Sequence, residues 1–257
     1  MIYIKRVDNM SVKVMSQNIM HWEASPHALY VNRRPLIKRA VLESGADVIG
    51  FQEVRPHWTE WLKTDLDGFE NYTVYRDSTS YEGTPIYWNP KRVKKLDGGH
   101  FWLSDTPEKS SIGWDAACNR IACWILFETV EDGKQFVFVN THLDHIGEKA
   151  RINGINLVCD FIKEKFEGVP LVLTGDFNAT PDSTTIIAAN ELLTDARTAY
   201  GLKEFEPTFH GFANKKAIID YIYISDNLKC TDFKTIKTEE NGTILSDHYG
   251  IFAQLEF

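Results

Sequence analysis

Apolar and polar residues alternate from Val12 to Asn18, with Val12, Val14 and Ser16 set against Lys13, Met15 and Gln17, and this period of two predicts a strand ending in Asn18. From Arg33 to Ser44 the period changes: Leu36, Ile37, Ala40 and Val41 fall on one helical face, with Pro35 in the first turn and Gly45 at the stop. Ala46 to Phe51 is a short apolar strand delivering Gln52 and Glu53, and Trp58, Trp61, Leu62 and Leu66 mark a second amphipathic helix. The second half of the chain repeats this grammar. Phe136 to Val139 runs into Asn140, Thr141 and His142, and a helical stripe follows at Ile152, Ile155, Cys159, Ile162 and Phe166. Leu171 to Thr174 leads into Gly175-Asp176-Phe177-Asn178, Ala217 to Ser225 carries Asp220, and Ser246-Asp247-His248 opens a last strand from Tyr249 to Phe257.

Strands alternating with helices indicate an α/β fold, and the strand-rich stretches around residues 85–140 and 217–257 add antiparallel pairing. A two-sheet β-sandwich flanked by helices fits this pattern better than a purely parallel sheet. With 257 residues, 43% of them hydrophobic, and no linker-like tract or repeat, the chain reads as a single domain over residues 1–257.

Charge and cysteine usage narrow the range of partners. The net charge of −8, from 36 acidic and 28 basic residues, argues against a broad nucleic-acid groove and favours a phosphorylated small molecule or a short nucleic acid. Lys5, Arg6, Asp8 and Lys13 interrupt the apolar residues of the N-terminal segment, so an export signal is not expected there, and no run is long enough to span a bilayer. Cys118, Cys123, Cys159 and Cys230 are too few and scattered for a disulfide scaffold. A cytoplasmic protein with reduced thiols is expected, with no membrane association and no protein partner implied.

Polar residues collect where strands stop. Six segments place Asn18, Glu53, His142, Asp176 with Asn178, Asp220, and Asp247 with His248 at or near strand ends. Asp176 and Asn178, two residues apart, face the same way, so an ionised carboxylate and a neutral amide can together hold a water and a phosphoryl oxygen. A hard divalent ion such as Mg²⁺ prefers carboxylate oxygens, which makes Glu53 the leading ligand and Asp247 a second candidate. His248 can exchange a proton near neutral pH, and Asp220 can set its tautomer. Arg120 is the leading cation for phosphate.

In chain order, Gln17-Asn18, Gln52-Glu53, Asn119-Arg120, Thr141-His142-Leu143-Asp144, Gly175-Asp176-Phe177-Asn178, Ile219-Asp220-Tyr221 and Ser246-Asp247-His248 resemble the ordered motifs of the endonuclease/exonuclease/phosphatase superfamily. This superfamily includes deoxyribonuclease I, exonuclease III, inositol phosphatases and the nocturnin-type deadenylases. Residues 113–120 and 208–212 look most like a bacterial group related to the deadenylase branch. The resemblance implies a four-layer α/β/β/α, deoxyribonuclease I-like fold and a Mg²⁺- or Mn²⁺-dependent phosphoesterase. It implies Glu53 as principal metal ligand, assisted by Asn18 and Asp247, and Asp176 with Asn178 positioning or activating the attacking water. His142 and Arg120 would contact the scissile phosphate, Asp220 would orient His248, and Asp176 and His248 remain competing general bases. Met20 stands where the abasic-endonuclease branch has a second polar residue, and the aromatic DNA-binding segment of that branch is missing between Asp176 and Asp220, which argues against abasic-site repair. Trp22, Trp114 and His210 are candidate walls of the substrate pocket.

The expected reaction is hydrolysis of a phosphodiester by direct in-line water attack. A small-molecule phosphomonoesterase is the alternative within the superfamily. Two other classes compete: a zinc hydrolase read from His142-Leu143-Asp144-His145, whose pattern Asn140 breaks by occupying a histidine position, and a catalytically silent binding module.

Overall fold

The computed structural model describes residues 11–23, 29–213 and 215–257; Lys5, Arg6 and Asp8, on which part of the export-signal reading rests, lie outside these. In chain order the elements are β1 (Ser11–Asn18), α1 (Tyr30–Ser44), β2 (Val48–Gln52), α2 (Pro56–Asp65), β3 (Glu70–Tyr72), β4 (Ile86–Trp88), β5 (Val93–Trp102), β6 (Ile121–Thr129) and β7 (Gln135–His142). They continue as α3 (Glu148–Lys165), β8 (Leu171–Asp176), α4 (Thr184–Asn190), β9 (Thr194–Asp195), α5 (Ala196–Tyr200), β10 (Asp220–Ile224), β11 (Lys229–Ile236), β12 (Glu239–Glu240), β13 (Thr243–Ile244) and β14 (Gly250–Glu256).

Two six-stranded sheets form, in the orders β11-β14-β1-β2-β4-β3 and β5-β6-β7-β8-β10-β9, and β12 with β13 makes a small separate ribbon. Each large sheet has one parallel pair, β1 with β2 and β7 with β8, and in each case a helix bridges the crossover. The remaining pairings are antiparallel, which makes both sheets mixed.

Three apolar layers explain the four-layer stack. Val14, Val48 and Ile86 of one sheet pack against Phe138, Val172 and Ile222 of the other. On the outer face of the first sheet, Met15, Ile49 and Phe51 pack on Leu36, Ile37, Val41 and Trp58; on that of the second, Val137, Val139 and Leu173 pack on Ile155, Val158 and Ile162. Strands covered on both faces read as continuous apolar runs, which is why β7 and β8 look uninterrupted in sequence. Each large side chain so buried contributes roughly 1.5–3 kcal/mol.

Helix α1 starts three residues earlier than the spacing predicts, and Pro35 lies inside it. The guanidinium of the fully buried Arg33 supplies the tertiary anchor: Nη1 donates to the carbonyls of Ile19 (2.6 Å) and Leu245 (3.1 Å), and Nη2 to those of Met20 (3.0 Å) and Trp22 (3.2 Å). These bonds fasten the first helical turn to the loop after β1. Gly45 ends the helix in a left-handed conformation, φ 64°, as the sequence indicates.

The inner layer turns polar towards the ends of β1, β2, β7 and β8. Asn140, fully buried, donates to the carbonyls of Phe51 (2.8 Å), Thr84 and Pro85 (3.2 Å each) across the sandwich, and its Oδ1 accepts from Gln52 Nε2 (2.7 Å) and Thr174 Oγ1 (3.2 Å). Gly50 makes room for this bolt, since a Cβ there would stand 2.6 Å from both Asn140 Cγ and Thr174 Oγ1. Asn140→Leu leaves several buried partners unsatisfied and is expected to lower unfolding free energy by about 3 kcal/mol. Urea denaturation checks this, the expected signature being a lower midpoint at unchanged slope.

Candidate active site

Four strands, β7 with β2 and β8 that Asn140 ties to it and β1 beside β2, carry a functional candidate at or just beyond their ends. Asn18 closes β1, Glu53 follows β2, His142 closes β7 and Asp176 closes β8; Asp220 opens β10 directly opposite Asp176 in the ladder. Three residues after strand ends adopt left-handed backbone, Met20 (φ 54°), Glu53 (φ 62°) and Asn178 (φ 48°). For Glu53 this conformation costs on the order of 1–3 kcal/mol, which the surrounding contacts offset. Gly175 is required by close approach: a Cβ there would lie 2.2 Å from the Thr141 carbonyl oxygen of β7.

These side chains converge on a cleft of about 400 Å³ at one end of the sandwich, whose walls include Glu53, Arg120, His142, Asp176, Asp247 and His248. Asn18 lies beneath them and joins two carboxylates, donating from Nδ2 to Glu53 Oε1 (3.1 Å) and Asp176 Oδ2 (3.0 Å). Its Oδ1 accepts from Met20 N (2.9 Å), so in this orientation Asn18 presents a donor to the cleft carboxylates and its only potential ligand oxygen is engaged. Glu53 Oε2 takes the backbone N–H of His21 at 2.8 Å and lies 2.5 Å from His21 Nδ1. Burial alone would raise the Glu53 carboxyl, but the His21 hydrogen bonds hold it well below the usual carboxylate range.

Asp220, His248 and Asp176 form a buried line. Asp220 Oδ2 lies 2.9 Å from His248 Nδ1, and His248 Nε2 lies 3.7 Å from Asp176 Oδ2. Burial opposes charge on His248, yet the two carboxylates raise its pKa to about 10. Burial and the neighbouring Asp220 charge push Asp176 up to about 7, against the pull of His248. Ligand atoms of these three residues lie within 4.8 Å of one another, but a protonated imidazole already supplies the cation between the carboxylates.

His142 faces the same cleft in a different state. Burial and the Arg120 charge hold its pKa well below the ordinary histidine value, leaving the ring neutral. Asn178 Nδ2 donates to His142 Nε2 (3.1 Å) and to the Leu143 carbonyl (3.1 Å), which makes Nε2 the acceptor and Nδ1 the protonated nitrogen, 3.8 Å from Glu82 Oε1. Asp176 Oδ1 in turn accepts from the Asn178 backbone N–H at 2.9 Å.

Arg120 is buried with its guanidinium held on two sides: Nε donates to Asp144 Oδ2 (3.3 Å), Nη2 lies 3.0 Å from His145 Nδ1, and Nη1 has no partner among the described residues. Asp144 also accepts from the backbone N–H groups of Ala117, Ile146 and Gly147. Burial opposes its charge, but these hydrogen bonds lower its pKa. Asp144 and His145 are engaged by Arg120, and Asn140 stands buried between the sheets at a position where the zinc-hydrolase pattern needs a histidine.

Trp114 and His210 are not among the cleft walls. The His210 ring lies buried against Tyr249, with centroids 4.4 Å apart, while Trp114 adopts φ 48° in the loop before Arg120 and Trp22 is 47% exposed. Phe209, Lys215 and Ile219 line the cleft instead. Sequence reasoning also missed His21, Arg76 and Glu82, all on the cleft wall, because each sits in a loop without apolar periodicity. The only local signal was for Glu82, an acid just before the apolar strand β4.

A divalent cation fits the acidic corner of Glu53 and Asp247. The carboxyl of Asp247 is raised by burial and by the charge of Glu53, so the two share an excess of negative charge, and their hard oxygen donors suit Mg²⁺ or Mn²⁺. No helix among the described residues is long and apolar enough to cross a membrane.

Known proteins share this architecture over nearly its full extent. A crystal structure of an endonuclease/exonuclease/phosphatase from Bacteroides vulgatus superposes with a TM-score of 0.90 at 31% identity, covering 97% of this chain and 100% of the other. A mannosyl-6-phosphatase from Bacteroides thetaiotaomicron is 29% identical with a TM-score of 0.84, over 96% of this chain and 100% of that one. The human nocturnin catalytic domain, with bound sulfate, shares the fold at 21% identity and a TM-score of 0.79, over 96% and 93%. The Endonuclease/Exonuclease/phosphatase family model matches residues 28–248, and with the mixed two-sheet sandwich and its convergent strand ends this establishes that the chain belongs to that family, whose members are divalent-metal-dependent phosphoester hydrolases.

Proposed function

We propose that this protein hydrolyses a phosphoester by direct in-line attack of water. The observation that carries the reading is the buried line from Asp220 through His248 to Asp176, which separates the charge states of two proton carriers in one cleft. Asp176, with its pKa near 7, is the general base, and Asn178 helps place the water. His248 remains cationic at neutral pH and so cannot take the proton; it faces developing negative charge, steadied by Asp220. Neutral His142 and the Nη1 of Arg120, which has no partner among the described residues, hold phosphoryl oxygens. A Mg²⁺ or Mn²⁺ ion held by Glu53 and Asp247 supplies, when bound, stabilisation of charge on the phosphoryl and leaving-group oxygens. Asn18 spaces the Glu53 and Asp176 carboxylates.

Sequence reasoning put a phosphodiester first. The 29% identity to a mannosyl-6-phosphatase over nearly all of both chains favours the other reading, a small phosphomonoester. The same proposal treats residues 1–257 as one functional unit, since both sheets furnish the cleft, and a cytoplasmic location is supported by four unpaired cysteines. A silent binding role is disfavoured by the intact set of proton carriers.

Glu53→Gln or His248→Ala is expected to lower turnover at least about a hundredfold, within the range of general acid–base contributions. Chelation should abolish turnover, and added Mg²⁺ or Mn²⁺ restore it. Full activity in either folded variant would sink the roles. The pH profile separates the two candidate bases. With Asp176 as base, the rate climbs as that group deprotonates near pH 7 and declines as His248 loses its proton near 10. Asp220→Asn should then move both limbs to lower pH, because the Asp220 charge raises both groups, whereas a rate that rises only as a group near pH 10 deprotonates would identify His248 as the base.

A further inference from the structure

We propose that Arg76 and Arg120 together form a seat for a dianionic terminal phosphate, with Arg76 setting a preference for phosphate monoesters over diesters. This rests on the hydrolase reading of the same cleft. Both guanidiniums line the main cleft, and both also line a recess of about 10 Å³ shared with Glu82, Gly83 and His142. Two buried polar atoms of the residues around that recess, Arg120 Nη1 and His142 Nδ1, have no hydrogen-bond partner among the described residues. Such orphaned atoms call for a polar occupant at the floor of the cleft.

Arg76 is held firmly. Nη1 pairs with Glu82 Oε1 at 2.6 Å, Nε donates to Ser80 Oγ at 3.3 Å, and none of the described residues accepts from Nη2. Its backbone N–H donates to the Glu82 carbonyl (2.8 Å), and its carbonyl accepts from Trp102 Nε1 (2.8 Å) and Ser110 Oγ (3.1 Å). The loop from residue 76 to 82 is closed on itself as well, because Asp77 Oδ1 accepts from the backbone N–H groups of Thr79 (2.7 Å) and Ser80 (2.6 Å). A guanidinium fixed by its neighbours is preorganised for an anion.

Oxygen and charge counts then distinguish the substrates. A diester phosphate has two non-bridging oxygens sharing one negative charge, which Arg120 and the acidic-corner cation can satisfy. A terminal phosphate has a third such oxygen and carries about −1.5 to −2 at pH 7. Arg76, beside Arg120, supplies through Nη2 the additional charged donor that this third oxygen requires.

The test measures binding and turnover separately on the Mg²⁺-loaded protein. By calorimetry, inorganic phosphate should bind at least about tenfold more tightly than dimethyl phosphate, in keeping with one charge-assisted hydrogen bond. Arg76→Met should erase that preference, and Arg76→Lys, which keeps the charge without the fork, should retain part of it; thermal melts of both variants show whether the loop is intact. Equal affinity for the two anions in the wild type, or a preference that survives Arg76→Met, overturns the proposal. Turnover of 4-nitrophenyl phosphate and bis(4-nitrophenyl) phosphate tests the underlying reading. Turnover without any monoester preference sinks the seat and leaves the hydrolase, while phosphate preference without turnover sinks the hydrolase and leaves the seat.

Discussion

The hydrogen bonds of one buried amide keep the functional ends of three strands, β2, β7 and β8, at a common level. Asn140 reaches across the sandwich to the carbonyls of Phe51, Thr84 and Pro85 and accepts from Gln52 and Thr174, so β2 and the approach to β4 are tied to β7 and β8. Apolar packing is non-directional and would tolerate small slides between the sheets. A satisfied polar network does not, because every displacement leaves a donor or acceptor unpaired in a low-dielectric interior. Side chains at the strand ends therefore meet at hydrogen-bonding distance.

That geometry concentrates ionisable groups that would be poorly tolerated singly. Glu53, Glu82, Asp176, Asp220 and Asp247 belong to one neighbourhood with Arg76, Arg120 and His248 as internal cations. Each partner changes the state of its neighbour: two carboxylates keep His248 charged, while burial and Arg120 keep His142 neutral. Two histidines of the same chain thus play opposite electrostatic parts through their surroundings alone.

Sequence reading reached the strand ends for the same reason that the strands were legible. Asn18, Glu53, His142 and Asp176 follow apolar runs whose period identifies the element, and the structure brings all four together. His21, Arg76 and Glu82 escaped because their approach to the cleft depends on tertiary closure of the loops after β1 and before β4. Trp114 and His210 were drawn in by residue type; neither is among the residues that line the cleft, and the His210 ring lies against Tyr249. The start of α1 was misjudged because no local propensity reports that Arg33 would be anchored by carbonyls as distant as that of Leu245. The two-sheet architecture was legible because crossover helices and antiparallel runs leave different periodicities.

The position of β14 has a bearing on how the molecule is born. It lies between β1 and β11 in the first sheet, and Asp247 and His248 immediately precede it. A chain emerging from the ribosome makes β1 early, yet that strand lacks its antiparallel neighbour until residues 250–256 are available. Such sequence-distant pairing is slow to form and leaves an open edge while synthesis proceeds. The acid–base pair is completed in the same late event. A nascent fragment accordingly lacks Asp247 and His248 on the cleft wall until the sheet closes.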